Sequence, residues 1–254
     1  MKKLRMLAVL LLAIGLLLCA AAHGEEQGAF YYDANNWYLS LRGDLSGDVE
    51  IPSMVDDYYI LAIGSNAFYE QHGVTSLTMP DTLYVLQDGA ISRMNALNCV
   101  TLNEGLEVIG TNNFSNCPSL TSLTIPASVR MIEAAIGSCD NLREITFEGE
   151  CPLFLDPAFC FFMMPEDYVI YVPEDQMDAY AAALADCNGA AGHIQSSGKP
   201  AVIPQTEDTS SWYAFDETTG TITGYNEYHA YIEIPSTING VAVKAIGESA
   251  FRLD

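Results

Sequence analysis

Between Val74 and Phe147 the chain sets down apolar residues in the same order four times. Each unit opens on an alternation of the form Leu-x-x-Leu-x-Ile: Val74, Leu77 and Met79; Leu97, Val100 and Leu102; Leu120, Leu123 and Ile125; Leu142, Ile145 and Phe147. Alternation over so few residues predicts a short strand with its apolar side chains turned inward. Pro52, Pro80, Pro126 and Pro235 follow such strands, where a missing N–H ends the ladder and fixes a corner. The segment after the corner returns apolar groups to the core, as Leu83 and Leu86, Leu106 and Ile109, and Val129 and Ile132. Gly64, Gly110 and Gly247 then fall in a tight turn, read here as open to positive φ. Phe68, Phe114, Phe159 and Phe251 are expected to plug the coil from its far side, with Ile91 and Ile136 as smaller substitutes. The unit recurs about every 23 residues. A fixed period in that range predicts a solenoid in which each coil buries its apolar face only against its neighbours.

A longer repeat overlies the short one. The stretch Phe30–Phe68 and the stretch Tyr213–Phe251 are both 39 residues long and align without a gap at an offset of 183. Asp33, Glu50, Ile51, Pro52, Ser53, Ala62, Ile63, Gly64, Ala67 and Phe68 return as Asp216, Glu233, Ile234, Pro235, Ser236, Ala245, Ile246, Gly247, Ala250 and Phe251. The chain thus reads as one whole array followed by the opening of a second, which has no body or cap in this sequence and reads as truncated.

The combined pattern Ile-Pro-x-x-Val-x-x-Ile-Gly-x-x-Ala-Phe-x-x-Cys-x-x-Leu resembles the BspA-type leucine-rich repeat family of bacterial surface proteins. The resemblance spans roughly residues 28–185 and resumes at Tyr213. Gln87 and Glu133 stand where the pattern wants the turn Gly, and the fourth unit has lost its Pro. The resemblance implies a mainly β repeat solenoid with short helical pieces. It further implies a right-handed superhelix, a parallel sheet on the concave face, and a capping strand and helix at the C-terminal end. It implies adhesion or host-protein binding as the kind of function. The end of the first array fits that cap: Tyr168–Pro173 reads as a last strand, and residues 174–185 as an Ala-rich amphipathic helix carrying Met177, Tyr180 and Leu184.

The resulting organisation is a signal peptide over residues 1–24, a capped array over 25–192, a polar linker over 193–211 and the start of a second array over 212–254. The leader is read from the basic start Lys2, Lys3 and Arg5, the apolar run Leu7–Leu18 and the small residues after it. Its roughly 16 apolar residues fall short of the ~20 that span a bilayer, so no membrane insertion is expected after cleavage. A lipid anchor on Cys19 is disfavoured because Leu18 stands where a bacterial lipobox wants Gly or Ala. The expected location is secreted or at the cell surface. Beyond residue 24 the chain holds seven Lys and Arg against 33 Asp and Glu, a net charge of −26. Such a field repels phosphate backbones and anionic lipid, so nucleic acid is not an expected partner.

Six cysteines follow the leader. Cys117 and Cys139 share one repeat phase, three residues after Phe114 and Ile136. Parallel stacking at ~4.8 Å is too wide for a disulfide, whose Cβ atoms lie ~3.8 Å apart, so buried free thiols are expected there. Cys151 and Cys160, outside the regular phase, are the candidate disulfide. No catalytic constellation emerges: His72, His193 and His229 lie in turns or linkers, and no metal-ligand spacing, protease signature or phosphate-cradling loop occurs. No cofactor is expected. Asp44, Asp48, Asp56 and Asp57 offer oxygen ligands for weak Ca²⁺ binding, although solvated turn acids describe them better.

The surface left free is a set of outward columns. Two run along the strands: Ser76, Cys99, Ser122 and Glu144, and Thr78, Thr101, Thr124 and Thr146. A third follows the corner as Tyr84, Glu107 and Arg130. The threonines also suit exposed strand positions for structural reasons alone. Two functions fit. One is a non-catalytic interaction module that binds an extracellular protein on a host or neighbouring cell. The other is the non-catalytic scaffold of a larger exported or wall-associated enzyme. Carbohydrate binding predicts aromatic platforms, and the strand columns show Ser, Thr, Cys and Glu instead. The pattern sets neither partner nor oligomeric state.

Overall fold

The computed structural model describes residues 29–36, 38–203, 212–225, 234–247 and 250–251. The leader, Cys19 and His229 fall outside them. In chain order the strands are β1 (Phe30–Asp33), β2 (Tyr38–Leu41), β3 (Ser46–Glu50), β4 (Met54–Val55), β5 (Tyr58–Tyr59), β6 (Ala62–Ile63), β7 (Gly73–Thr78) and β8 (Val85–Leu86). They continue as β9 (Cys99–Thr101), β10 (Val108–Ile109), β11 (Ser122–Ile125), β12 (Met131–Glu133), β13 (Glu144–Phe147), β14 (Leu153–Leu155) and β15 (Val169–Val172). Helix α1 (Met177–Ala183) and β16 (Ile194–Ser196) close this part. After it come β17 (Tyr213–Asp216), β18 (Thr221–Tyr225), β19 (Thr237–Ile238), β20 (Val241–Ala242) and β21 (Ala245–Ile246).

The strands stack as a β-solenoid. The Leu-x-x-Leu-x-Ile segments form the parallel sheets β3-β7-β9 and β11-β13-β15-β16. The return segments, read from sequence only as apolar turns, make a ladder of their own, β2-β6-β8-β10-β12-β14. Val85 pairs with Val108, Val108 with Met131, and Met131 with Leu153. Stacking identical coils forces this outcome, because each return segment lies one coil from its copy and its amides need partners. Single bridges tie a third side through Ser92, Ser115, Gly137 and Phe162. Inward residues from all sides merge into one core that includes Leu77, Leu86, Ile109, Phe114, Leu123, Ile132 and Ile145.

Two details of the coil differ from the pattern reading. Gly64, Gly110 and Gly247 are absent from the positive-φ positions, which fall instead on Asn66, Gly89, Asn112, Ala134 and Asp156, and again on Glu70, Arg93, Asn116, Ser138 and Met163. Gly110 is required for closeness: a Cβ there would meet Asp88 Oδ1 at 2.8 Å and the Leu86 carbonyl at 3.0 Å. The plug of the fifth coil is Phe161, which is buried beside Phe154, whereas Phe159 is 66% exposed. Phe162 bridges Gly137, so Phe161 is the residue in phase with Ile136 and Phe114. The coil between them is 25 residues long, and counting from the local Ala-Phe pair placed the plug two positions early.

The cap forms where expected but is shorter in α-helix. Residues 174–176 are a 3₁₀ turn and α1 covers Met177–Ala183. Tyr180 is fully buried, with its ring 5.1 Å from Phe147 and its hydroxyl donating to the Gly149 and Glu150 carbonyls at 3.3 Å. β16 falls inside the stretch read as linker and pairs with β15. Val202 N–H then donates to Glu148 O at 2.7 Å, so chain as far as residue 202 is tied to the first array.

Cys151 and Cys160 are both free thiols, so the candidate disulfide does not form. Cys160 instead neighbours Cys187, whose Sγ donates to the Cys160 carbonyl at 3.3 Å and the Pro157 carbonyl at 2.6 Å. Cys117 and Cys139 are buried and free, with Cys139 Sγ donating to Phe114 O at 3.1 Å. The hydrogen bond to Cys117, together with burial, pushes the Cys139 thiol up from its ordinary value.

The second unit copies the order of elements of the first, with a β-bulge between Ala214 and Phe215 that shifts the hairpin register. β17 and β18 form an antiparallel hairpin as β1 and β2 do. Asp216 holds its turn through Thr218 N–H at 2.9 Å, as Asp33 does through Asn35 N–H at 2.9 Å. β19, β20 and β21 lie at the offset of 183 from β4, β5 and β6. Burial differs: Ile63 is 0% exposed and its counterpart Ile246 is 51% exposed, because β8 covers β6 whereas β21 is an edge. Tyr213, Ile222, Ile238 and Ala250 make its small core.

Candidate interaction surface

The strand alternation decides which side chains reach solvent. In β7, Val74 and Leu77 point inward and are buried, so Thr78 is exposed and Ser76 half-buried. Ser122 and Thr124 on β11 are exposed on the same principle, as are Thr101 on β9 and Glu144 on β13, with Thr146 half-buried. Parallel registry then lines them up. Glu50, Thr78 and Thr101 are successive partners, and so are Thr124, Thr146 and Tyr171. Asp48, Ser76 and Cys99 form one parallel row, and Ser122, Glu144 and Val169 another.

The four threonines therefore do not make one unbroken column. β9 and β11 belong to different sheets, so the row divides between Thr101 and Thr124. Sequence reasoning also missed both ends. Asp48 and Glu50 precede the threonine units because β3 lies outside the short repeat, and Tyr171 follows them because β15 begins the cap. Asp48 Oδ1 accepts hydrogen bonds from Ser76 Oγ and Thr75 Oγ1, each at 2.8 Å. Those bonds hold its carboxyl below the ordinary aspartate value.

Tyr84, Glu107 and Arg130 do come together, one per coil, just ahead of β8, β10 and β12. Their backbones form a chain in which Glu107 N–H donates to Tyr84 O and Arg130 N–H to Glu107 O, each at 2.9 Å. All are half-buried. Arg130 lies 3.7 Å from Glu150 in a solvent-exposed ion pair, worth about 0–1 kcal/mol.

A polar cleft of about 340 Å³ opens at the left-handed corners, with Asn66, Tyr69, Asp88, Arg93 and Asn112 in its walls. Arg93 is committed there, 3.7 Å from Glu70 and over the Tyr69 ring at 5.6 Å. Its lining residues recur at a few phases in successive repeats, as in Asn66, Gly89 and Asn112 and in Tyr69, Ser92 and Ser115, a signal that alignment of the corner positions would have shown. Among the described residues no group of three or more His, Cys, Asp and Glu is arranged to hold a metal ion. His72 is exposed, and His193 stacks on Tyr168 at 4.0 Å with Nδ1 2.8 Å from the Tyr168 carbonyl. Asp56 and Asp57 are both left-handed residues between β4 and β5. No helix among the described residues is long and apolar enough to cross a membrane.

The family described as BspA type leucine rich repeat region matches residues 61–187 in six copies. A comparison with curated proteins found no match. Among solved structures, a leucine-rich repeat protein from Bacteroides capillosus is 28% identical, with the match covering 47% of this chain and 93% of that one at a TM-score of 0.38. The leucine rich repeat protein of T. pallidum is 16% identical over 68% of this chain and 96% of that one, with a TM-score of 0.35. A leucine rich cell surface protein from Faecalibacterium prausnitzii is 18% identical over 68% of this chain and 54% of that one, with a TM-score of 0.33.

Proposed function

The chain belongs to the BspA-type leucine-rich repeat family, and on that premise we propose that it is an exported, non-catalytic module that binds an extracellular protein. The observation that carries this reading is the row Tyr84, Glu107 and Arg130. Its members change from aromatic to acid to base over successive coils, while their inward neighbours Leu83, Leu106 and Val129 all stay apolar and buried. Varying chemistry on a fixed scaffold is what lets a repeat surface tell partners apart. The strand rows Ser76, Thr78 and Thr101, and Ser122, Thr124, Glu144 and Thr146, extend the same surface with hydrogen-bonding groups. The leader supports export, and adhesion to a host or neighbouring cell is the role such a module would serve.

The non-catalytic reading rests on where the reactive groups lie. Four cysteines are buried against core or backbone carbonyls, and His193 is held face to face with Tyr168. The test is to present the full chain to an array of purified extracellular proteins at physiological salt. Saturable capture of one or a few of them is the expected result. Absence of saturable capture across the array would sink the proposal.

A further inference from the structure

The last full coil breaks the repeat's own rule for outward positions. Leu155 pairs with Glu133 in the preceding coil. Phe162 occupies the row held by Gly137, Ser115 and Ser92. Met163 shares its left-handed conformation and its place in the coil with Ser138, Asn116 and Arg93. Where earlier coils place a charged or polar side chain or none, this coil puts Leu, Phe and Met into water. The exposures are large: Leu153 53%, Leu155 37%, Phe159 66%, Phe162 49% and Met163 68%. A contiguous apolar surface of this kind on an otherwise acidic chain marks an interaction site.

The cap covers only part of this coil. Tyr180 packs on Phe147, Cys187 reaches Pro157 and Cys160, and Asn188 Nδ2 donates to Ala158 O at 2.6 Å. β14 is left as the terminal strand of its sheet. Its central Phe154 is buried, so Leu153 and Leu155 project together on the other side. Farther along the same coil opens a cleft of about 330 Å³ walled by Phe162, Met163, Met164 and Pro165, with Glu166 also lining it. Tyr168 lines the same cleft; the residue is 5% exposed and its hydroxyl is buried without a hydrogen-bond partner.

We propose that this coil is a docking surface for an extended segment of another protein in which apolar and basic residues alternate. The segment adds as a strand to the free edge of β14, which gives it backbone hydrogen bonds. Its apolar side chains cover Leu153 and Leu155 by the cross-strand pairing that adjacent strands make. One Lys enters the cleft, laying its aliphatic stem on Met163 and Pro165. Its ammonium donates to Glu166. Charge selects this occupant over a second copy of the chain: the chain carries a net charge of −23 and its coil displays Asp156 and Glu166. A second copy would bring the same sign, and its outward strand positions offer Ser, Thr and Glu rather than cations.

Leu153 N–H donates to the Arg130 carbonyl at 2.8 Å, so the surface adjoins the end of the row Tyr84, Glu107 and Arg130; its test leaves that row unchanged and uses a synthetic peptide, so its failure and the failure of the proposed function are distinguishable. The full chain is titrated against a short synthetic peptide alternating Val and Lys, followed by fluorescence anisotropy. Comparison peptides carry Ser for Val, Glu for Lys, or Pro at the centre. The variant Leu155→Glu with Met163→Ser gives this coil the residues its neighbour has at Glu133 and Ser138, and so keeps a pattern that folds. The Val/Lys peptide is expected to bind at least about tenfold more tightly than each comparison peptide. The double variant loses that preference. Equal binding of the Ser/Lys peptide would mean charge attraction alone and overturn the proposal, as would unchanged binding to the double variant. Self-association in sedimentation that the double variant abolishes would assign the surface to a second copy and overturn it too.

Discussion

Gly110 and Phe161 show how much a single position in a coil is set by its neighbour above or below. Gly110 tolerates any side chain in isolation, since its φ is ordinary, but the preceding coil leaves no room for a Cβ. Gly110→Ala is expected to destabilise the fold by about 1–3 kcal/mol through overpacking, read as a lower urea midpoint with unchanged m value. Sequence gave the glycine's position correctly and its reason wrongly, because closeness between coils is a tertiary fact that a one-dimensional pattern does not carry. Asp33 and Asp216 were legible for the opposite reason: each bonds only to its own turn, so identity at an offset carries the geometry with it. The thiols divide by burial. Cys99 is exposed, while burial pushes the Cys151 thiol up to about 11. Only the thiolate reacts with a disulfide reagent, so at about pH 8 native labelling should modify Cys99 first. The rate at Cys151 should climb as pH rises toward 11, the direction a raised thiol pKa demands. Mass mapping of the labelled peptides checks both statements, and prompt modification of Cys117 or Cys139 would contradict the buried assignment.

At the scale of elements, the short repeat made the Leu-x-x-Leu-x-Ile strands and the proline corners legible, since both follow from local alternation and a missing donor. It hid the second ladder, because two-residue strands such as β8 and β10 show no alternation and exist only through the coil beside them. The division of the outward strands between β9 and β11 was hidden for the same reason. The cap was readable as an amphipathic helix, and its anchor is Tyr180. Tyr180→Ala removes a fully buried ring from Phe147 and should cost about 3–5 kcal/mol. Limited proteolysis should then open residues 174–196 before the central coils, because only the end of the stack loses its cover. Cleavage in β11 or β13 first would contradict a cap that protects the array from its open end.

As a whole molecule the chain is a stack whose inward positions repeat and whose outward positions, the strand threonines apart, vary. The core explains the leucines, prolines and most cysteines, and leaves the outward rows and the apolar last coil as places where sequence is free to serve a partner. The fold was legible because a repeat states its rule several times. The surface was only partly legible, because rows belong to registry between coils and Asp48, Glu50 and Tyr171 join them from outside the short repeat. The most direct measurement is the affinity of the captured extracellular partner for the full chain and for a variant combining Tyr84→Ala, Glu107→Lys and Arg130→Glu. With circular dichroism and melting unchanged, the account predicts at least about a tenfold rise in Kd, or about 1.4 kcal/mol. A Kd the variant leaves unchanged would contradict the claim that this row recognises the partner.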